Sequence, residues 1–187
     1  IDGCCVEELL GHSMRPDVAI AGARLYYGDD TIQHAGVIVG LGGVAGHAFV
    51  GLPRSEWGYM AKAVATQDLS AVTAACMMVK KEVYLDVGGM TEALAVAFND
   101  VDFCLKVREK GWLVVYEPYA QAYHYESKSR GLENTPEKLE RFHGEMRLFR
   151  DRWKTILEEG DPYYNINLTL DRNDFTLRNP YWMPVEF

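Results

Sequence analysis

The segment Phe98-Asn99-Asp100-Val101-Asp102-Phe103-Cys104-Leu105 carries two carboxylates at the opening of a helical pattern. Asn99 has the short amide that accepts from the unpaired N–H groups of a first helical turn, which makes it the expected N-cap. Asp102 then falls at the third helical position, where a carboxylate can reach back to the N-cap N–H in a capping box. The other role open to Asp102 is substrate binding. Asp100 lies two residues earlier, about 200° around the helix axis from Asp102, and that cap does not need it. The positive end of the helix dipole favours its ionised form. An ionised carboxylate at the mouth of a helix suits a general base that takes a proton from an alcohol. An aspartate that only complements the dipole is the plainer alternative.

A second group is Tyr123-His124-Tyr125-Glu126-Ser127-Lys128-Ser129-Arg130-Gly131. His124 closes an apolar strand pattern, where side chains emerge at a sheet edge. A neutral imidazole there can bind a divalent metal, and Glu126, two residues on, shares its face if the strand continues. Lys128 and Arg130 form a local cationic patch in a Ser/Gly-rich loop, suited to phosphate. The competing reading is a surface histidine followed by a polar loop. His34 and His47 flank a glycine-rich stretch, and His12 and His143 fall on helical segments without a sequence partner. The chain has no HExxH, no GxSxG and no strand–GxGxxG–helix unit; Gly40-Leu41-Gly42-Gly43 lacks that spacing. Dinucleotide binding is therefore not expected. The 11 tyrosines and 4 tryptophans could stack on sugars, though most must serve the core.

The elements that must hold these residues are those of one domain of 187 residues. Hydrophobic residues make up 48% of it, too many for a disordered chain. The net charge of −8 argues against nucleic-acid binding, which needs Lys and Arg facing phosphates. No apolar run approaches the ~20 residues of a membrane span. Cys4, Cys5, Cys76 and Cys104 match no CxxC motif. Cys76 and Cys104 read as small core residues, and a reduced, cytoplasmic setting follows. The chain opens on Ile1, directly into a helical segment, so a fragment lacking its first part is expected.

Val6, Leu9 and Leu10 mark a short helix over 5–12. A buried strand over 18–27 and a returning strand over 31–39 form a hairpin around Gly28-Asp29-Asp30. The seven Gly and Pro residues of 40–58 predict a mobile loop. An apolar run over 71–79 has strand length. Helices are expected over 80–87, stopped by Gly88-Gly89, and over 98–110, stopped by Gly111. Short strands over 112–116 and 121–125 are separated by Glu117-Pro118. Thr135-Pro136 opens one long amphipathic helix to Glu158. After Gly160 an aromatic, polar arm of 161–187 lies on a domain of 1–160. Loose alternation of strands and helices gives an α/β class with a mixed sheet.

FNDVDFCLKVREKG followed by VVYEPYAQAYHYESKSRG resembles the C-terminal, acceptor-side half of a family 2 glycosyltransferase with a GT-A fold. The segments GARLYYGDDTIQHAGVIVG, AVTAACMMVKKEVYLDVGG and GDPYYNINLTLDRNDFTLR agree with it. The likeness is to the bacterial branch that builds cell-surface polysaccharide, rhamnosyl- or galactosyltransferase-like. It implies a single inverting displacement from a nucleotide-sugar donor to a saccharide or lipid-linked saccharide acceptor. It implies Asp100 as the base, His124 as a ligand to Mn²⁺ or Mg²⁺ on the donor diphosphate, and Lys128 and Arg130 closing over the phosphates. The family's DxD-type motif has no counterpart here, since Asp29-Asp30 is a hairpin turn, so the donor-binding half is expected to lie outside this chain. Such enzymes are cytoplasmic, peripheral at the inner face of the membrane at most. Two rivals stand beside this reading. One is a saccharide- or partner-binding module without chemistry. The other is a metal-dependent hydrolase with Asp100, Asp102 and His124 on one centre.

Overall fold

The structure, a computed structural model, describes residues 3–125 and 135–178. It is a mixed α/β fold built on strand β1 (Val18–Tyr26), which is buried at all nine positions. A strand with both faces covered reads as a continuous apolar run, as VAIAGARLY largely does. Along one edge β1 pairs in parallel with β7 (Leu113–Tyr123), from Val18 opposite Leu113 to Tyr26 opposite Tyr123. Its other edge takes two antiparallel partners, β2 (Ile32–His34) near its end and β6 (Met77–Val79) near its middle. The short β5 (Gln67–Asp68) pairs antiparallel with β7.

The two-residue period of a strand separates two faces. Ala21, Ala23 and Leu25, with Ala120 and Ala122 of β7, pack under helix α1 (Cys5–Ser13) through Cys5 and Leu9. On the opposite face Ile20, Tyr26, Val114 and Tyr116 meet the main core. That core holds Phe103, Cys104, Leu105 and Val107 of helix α3 (Asn99–Glu109), together with Phe149 and Trp153. Gly22 sits on this face because nothing larger fits: a Cβ there would lie 2.5 Å from Cβ of Val72.

Several expectations needed correction. The returning strand of the hairpin is split. β2 ends at His34, Gly36 takes φ +97°, and β3 (Val37–Val39) leaves to pair with β4 (Ala45–His47) in a second sheet. The glycine-rich stretch is not a free flap. Its Val44, Ala48 and Phe49 are buried, and the C-terminal arm accepts the N–H of Gly42 at Leu170 and of Phe49 at Asn173. The apolar run 71–79 is strand only over β6, because Thr73 accepts from the N–H of Ala75 and caps a 3₁₀ turn over Ala74–Cys76. The two short strands around Pro118 are one strand, β7. The register slips between Ala23 opposite Glu117 and Arg24 opposite Gln121, a bulge that absorbs the missing proline N–H. The long C-terminal helix is two, α4 (Pro136–Arg152) and α5 (Lys154–Glu159), broken at Trp153. Helix α2 (Lys81–Asp86) and the Thr135–Pro136 start of α4 stand as read, with the Thr135 hydroxyl accepting from Lys138 N–H.

Among the described residues four carboxylates are buried, which is costly in any protein unless each is fully hydrogen-bonded. Each joins segments remote in sequence. Glu117 accepts from His12 at 2.7 Å and Thr66 at 2.9 Å. Asp161 accepts from Ser70 Oγ at 2.6 Å, Val39 N–H at 2.9 Å and Tyr163 N–H at 2.9 Å. Asp102 and Glu145 do the same near the cleft described next.

Candidate active cleft

Where β2, β4 and the end of β7 face the start of α3, the surface opens into a cleft of about 480 Å³. Asp100 and His124 both line it, with Gln33, His47, Thr73, Phe98 and Phe142 among the other walls.

Asp100 reaches the cleft through a strained approach. The helix begins after Phe98, which has φ +61° and ψ 4°, and no side chain caps it. Asn99 is thus the first helical residue rather than the N-cap. A non-glycine residue in the left-handed region costs about 1–3 kcal/mol and persists only where its surroundings impose it. Here α4 imposes it. Phe142 and Phe149 hold the Phe98 ring at centroid distances of 5.6 and 5.4 Å. The buried carboxylate of Glu145 accepts the N–H groups of Val96 at 3.2 Å and Ala97 at 2.7 Å, just upstream. Asp100 itself accepts from Val101 N–H at 2.9 Å and from Ala74 N–H at 3.1 Å. It therefore takes an N–H of its own first helical turn, the role expected of Asn99. A carboxylate has about four lone-pair sites, so two N–H bonds orient it and leave acceptor capacity for a hydroxyl proton.

His124 follows the last residue of β7, and its N–H donates to Tyr26 at 2.9 Å, which continues the strand pairing. Its ring Nδ1 lies 2.9 Å from Oε1 of Gln33, whose Nε2 donates back to the His124 carbonyl at 3.3 Å. His47 is a further imidazole of the cleft, with Nδ1 3.0 Å from the Gln33 carbonyl and its ring edge-on to His34 at 4.8 Å. His34 is fully buried, and desolvation, aided by the neighbouring His47, holds its pKa well below the ordinary 6.5.

Asp102 is not at the cleft. It is fully buried and closes no capping box. One oxygen accepts from Thr91 Oγ1 at 2.6 Å and the other from Trp153 Nε1 at 2.9 Å, with Arg152 at 3.2 Å and Lys106 at 3.9 Å. Both its oxygens are thus hydrogen-bonded in the interior, and the structure does not bring Asp102 together with Asp100 and His124, the arrangement that a hydrolase centre on these three residues requires. Lys128, Arg130 and Glu126 lie outside the described residues. Cys104 is fully buried, and burial pushes its thiol up to about 12. No disulfide joins the four cysteines to one another.

Among the described residues no group of three or more His, Cys, Asp or Glu is arranged to hold a metal ion, and no helix is long and apolar enough to cross a membrane. What the cleft offers is one oriented carboxylate and two imidazoles with fixed Nδ1 partners. Sequence reasoning singled out Asp100 and His124 but missed Gln33 and gave His47 no role. Gln33 is 91 residues from His124 and 14 from His47, so no local spacing joins them.

Comparison with known proteins gives the context. No family model matches the chain, and no solved structure matches it. It is 50% identical over 178 residues to the "Uncharacterized protein y4gI" of Sinorhizobium fredii, a match covering 95% of this chain and 20% of that protein. It is 32% identical over 194 residues to the O-antigen biosynthesis protein RfbC of Myxococcus xanthus, covering 95% of this chain and 14% of that protein. Over 91 residues it is 29% identical to the N-acetylglucosaminyl-diphospho-decaprenol L-rhamnosyltransferase of Mycobacterium tuberculosis, covering 46% of this chain and 30% of that enzyme. The chain thus spans 14–30% of the length of these curated relatives.

Proposed function

We propose that this chain is the acceptor-side part of an inverting, family 2-like GT-A glycosyltransferase that moves a sugar from a nucleotide-sugar donor to a saccharide or lipid-linked saccharide acceptor in cell-surface polysaccharide synthesis. The observation that carries the reading is that Asp100 and His124, separated by 24 positions in the chain, line one open cleft. The names of two relatives, an O-antigen biosynthesis protein and a rhamnosyltransferase, support the substrate class.

On this reading Asp100 is the general base. Backbone N–H groups of Val101 and Ala74 hold its carboxylate, and its remaining lone pairs accept the proton of the acceptor hydroxyl as that oxygen attacks the anomeric carbon. The cleft holds acceptor oxygen, anomeric carbon and leaving oxygen in line. An exposed imidazole with Nδ1 already bonded fits one position in the coordination sphere of a Mn²⁺ or Mg²⁺ ion. Among the described residues no group of three or more His, Cys, Asp or Glu is arranged around an ion; His124 would supply one ligand, and the donor diphosphate and the donor-binding half would supply others. When bound, the ion offsets negative charge on the leaving nucleotide. Lys128 and Arg130 assist at the phosphates, and the reaction takes place at the cytoplasmic face of the membrane.

The test is Asp100→Asn in the full-length protein. Transfer should fall by about 10²–10⁴-fold, the usual contribution of a general base, while acceptor binding persists. Transfer near the wild-type rate would remove the base assignment and favour a saccharide-binding module.

A further inference from the structure

We propose that Gln33 is the positioning residue of the cleft: its side chain fixes His124, and its backbone carbonyl fixes His47, as Nδ1–H tautomers. The assignment follows from which atoms can donate. The His124 carbonyl only accepts, so the Gln33 group 3.3 Å from it is the NH₂. The Gln33 oxygen therefore faces Nδ1 of His124 at 2.9 Å, and Nδ1 must carry the proton. The Gln33 backbone carbonyl likewise forces the proton onto Nδ1 of His47 at 3.0 Å. Both rings are left with Nε2 as the nitrogen bearing an unshared lone pair, the form in which an imidazole binds a cation or accepts a hydroxyl proton.

The backbone around Gln33 is built for this. Leu25 of β1 faces His34 and Tyr26 faces Ile32, so Gln33 is the extra residue of a β-bulge. A bulge frees one residue from the ladder and re-aims its side chain, which is its usual role beside active sites. The Gln33 side chain, 3% exposed, is thereby turned to the end of β7. An imidazole in water favours Nε2–H, so without Gln33 the His124 ring would change form. A partner that fixes the ring of a metal-binding histidine typically carries a 10–100-fold effect on affinity or activity.

The inference rests on the cleft being the reaction site, and its test separates the two. Long-range ¹⁵N–¹H spectra of the imidazole rings in the whole chain report each tautomer directly. His124 and His47 should both be Nδ1–H in the wild type. In Gln33→Met the His124 signals should move to predominantly Nε2–H, while His47, held by the backbone, stays unchanged. Gln33→Glu keeps an acceptor and should restore the Nδ1–H form. An Nε2–H ring at His124 in the wild type, or a His124 tautomer indifferent to Gln33→Met, overturns the proposal. Mn²⁺ added alone addresses the reading beneath. If His124 meets the ion, its ring signals broaden, and Gln33→Met raises the Mn²⁺ concentration required by about 10–100-fold. Expected tautomers without any broadening would uphold the role of Gln33 and refute the ion contact.

Discussion

The indole N–H of Trp153 donates to the Asp102 carboxylate at 2.9 Å, at the point where the C-terminal helix divides into α4 and α5. The bond ties the end of α4 to the first turns of α3, the helix that carries Asp100. Asp102 is thus the internal anchor of the helix whose second residue, Asp100, lines the cleft.

Removing that anchor should be costly. Asp102→Ala strips acceptors from the Thr91 hydroxyl and the Trp153 indole and takes the neighbouring carboxylate away from Lys106 and Arg152. Breaking a buried ionic cluster from one side typically costs about 3–5 kcal/mol. Trp153→Phe keeps most of the packing and loses one donor, for about 1–3 kcal/mol. Urea midpoints measure both, and an Asp102→Ala loss below about 1 kcal/mol would contradict the assignment of Asp102 as a structural anchor.

On the proposed function, Glu145 should matter to transfer without touching substrate. Its carboxylate is the acceptor for Val96 and Ala97 N–H, which set the approach to Phe98 and Asp100. Glu145→Ala leaves those two N–H groups without their acceptor, at about 1–3 kcal/mol for each one that stays buried. Glu145→Gln retains one acceptor oxygen and should be milder. Comparing the two by transfer rate and by thermal melting checks this. Equal rates in both variants would show that the Phe98 conformation does not depend on Glu145.

Gly22→Ala places a methyl group 2.5 Å from Cβ of Val72. Overpacking of this kind costs about 1–3 kcal/mol. Val72→Ala in the same chain should recover part of the loss, because the two side chains compete for one space. A double-mutant cycle reads the coupling; strictly additive effects would mean the clash is relieved elsewhere.

Acid should weaken the fold through His34. Burial, aided by the neighbouring His47, keeps this ring neutral in the folded chain, with its pKa well below 6.5, and the rings of His47 and Tyr116 pack edge-on against it. The unfolded chain takes up a proton at this ring as pH falls below about 6.5. Its contribution to stability is therefore whole above that pH and declines as pH falls toward the folded-state pKa. The decline approaches 1.4 kcal/mol per pH unit for one proton. Denaturation midpoints from pH 7.5 to 5.5, compared with His34→Phe, isolate it. Parallel curves for the two proteins would show that His34 is not the group responsible.

How much was legible differs from element to element. The helix over 99–109, the strand over 18–26 and the Thr135-Pro136 start are recorded in local chemistry: apolar period, cap and proline. The split of the hairpin at Gly36 and the break at Trp153 were not. Gly36 turns because Ala71 and Gly36 accept from Val37 and Ala48 N–H, and Trp153 leaves the helical geometry as its indole meets Asp102. Those partners lie 12 to 51 residues away. The reading of Asp102 failed similarly, because a capping carboxylate and a buried anchor look alike until the third dimension supplies Thr91 and Trp153.

Side-chain type and short-range spacing thus sufficed for the class of the fold, most of its elements and two candidate residues, because these depend on interactions within a few positions. The shared cleft of Asp100 and His124, the bulge that aims Gln33, and the withdrawal of Asp102 into the interior depend on which strands and helices become neighbours. Strand register and helix packing choose those neighbours by burying apolar surface across the whole chain, and no window of the sequence contains that choice.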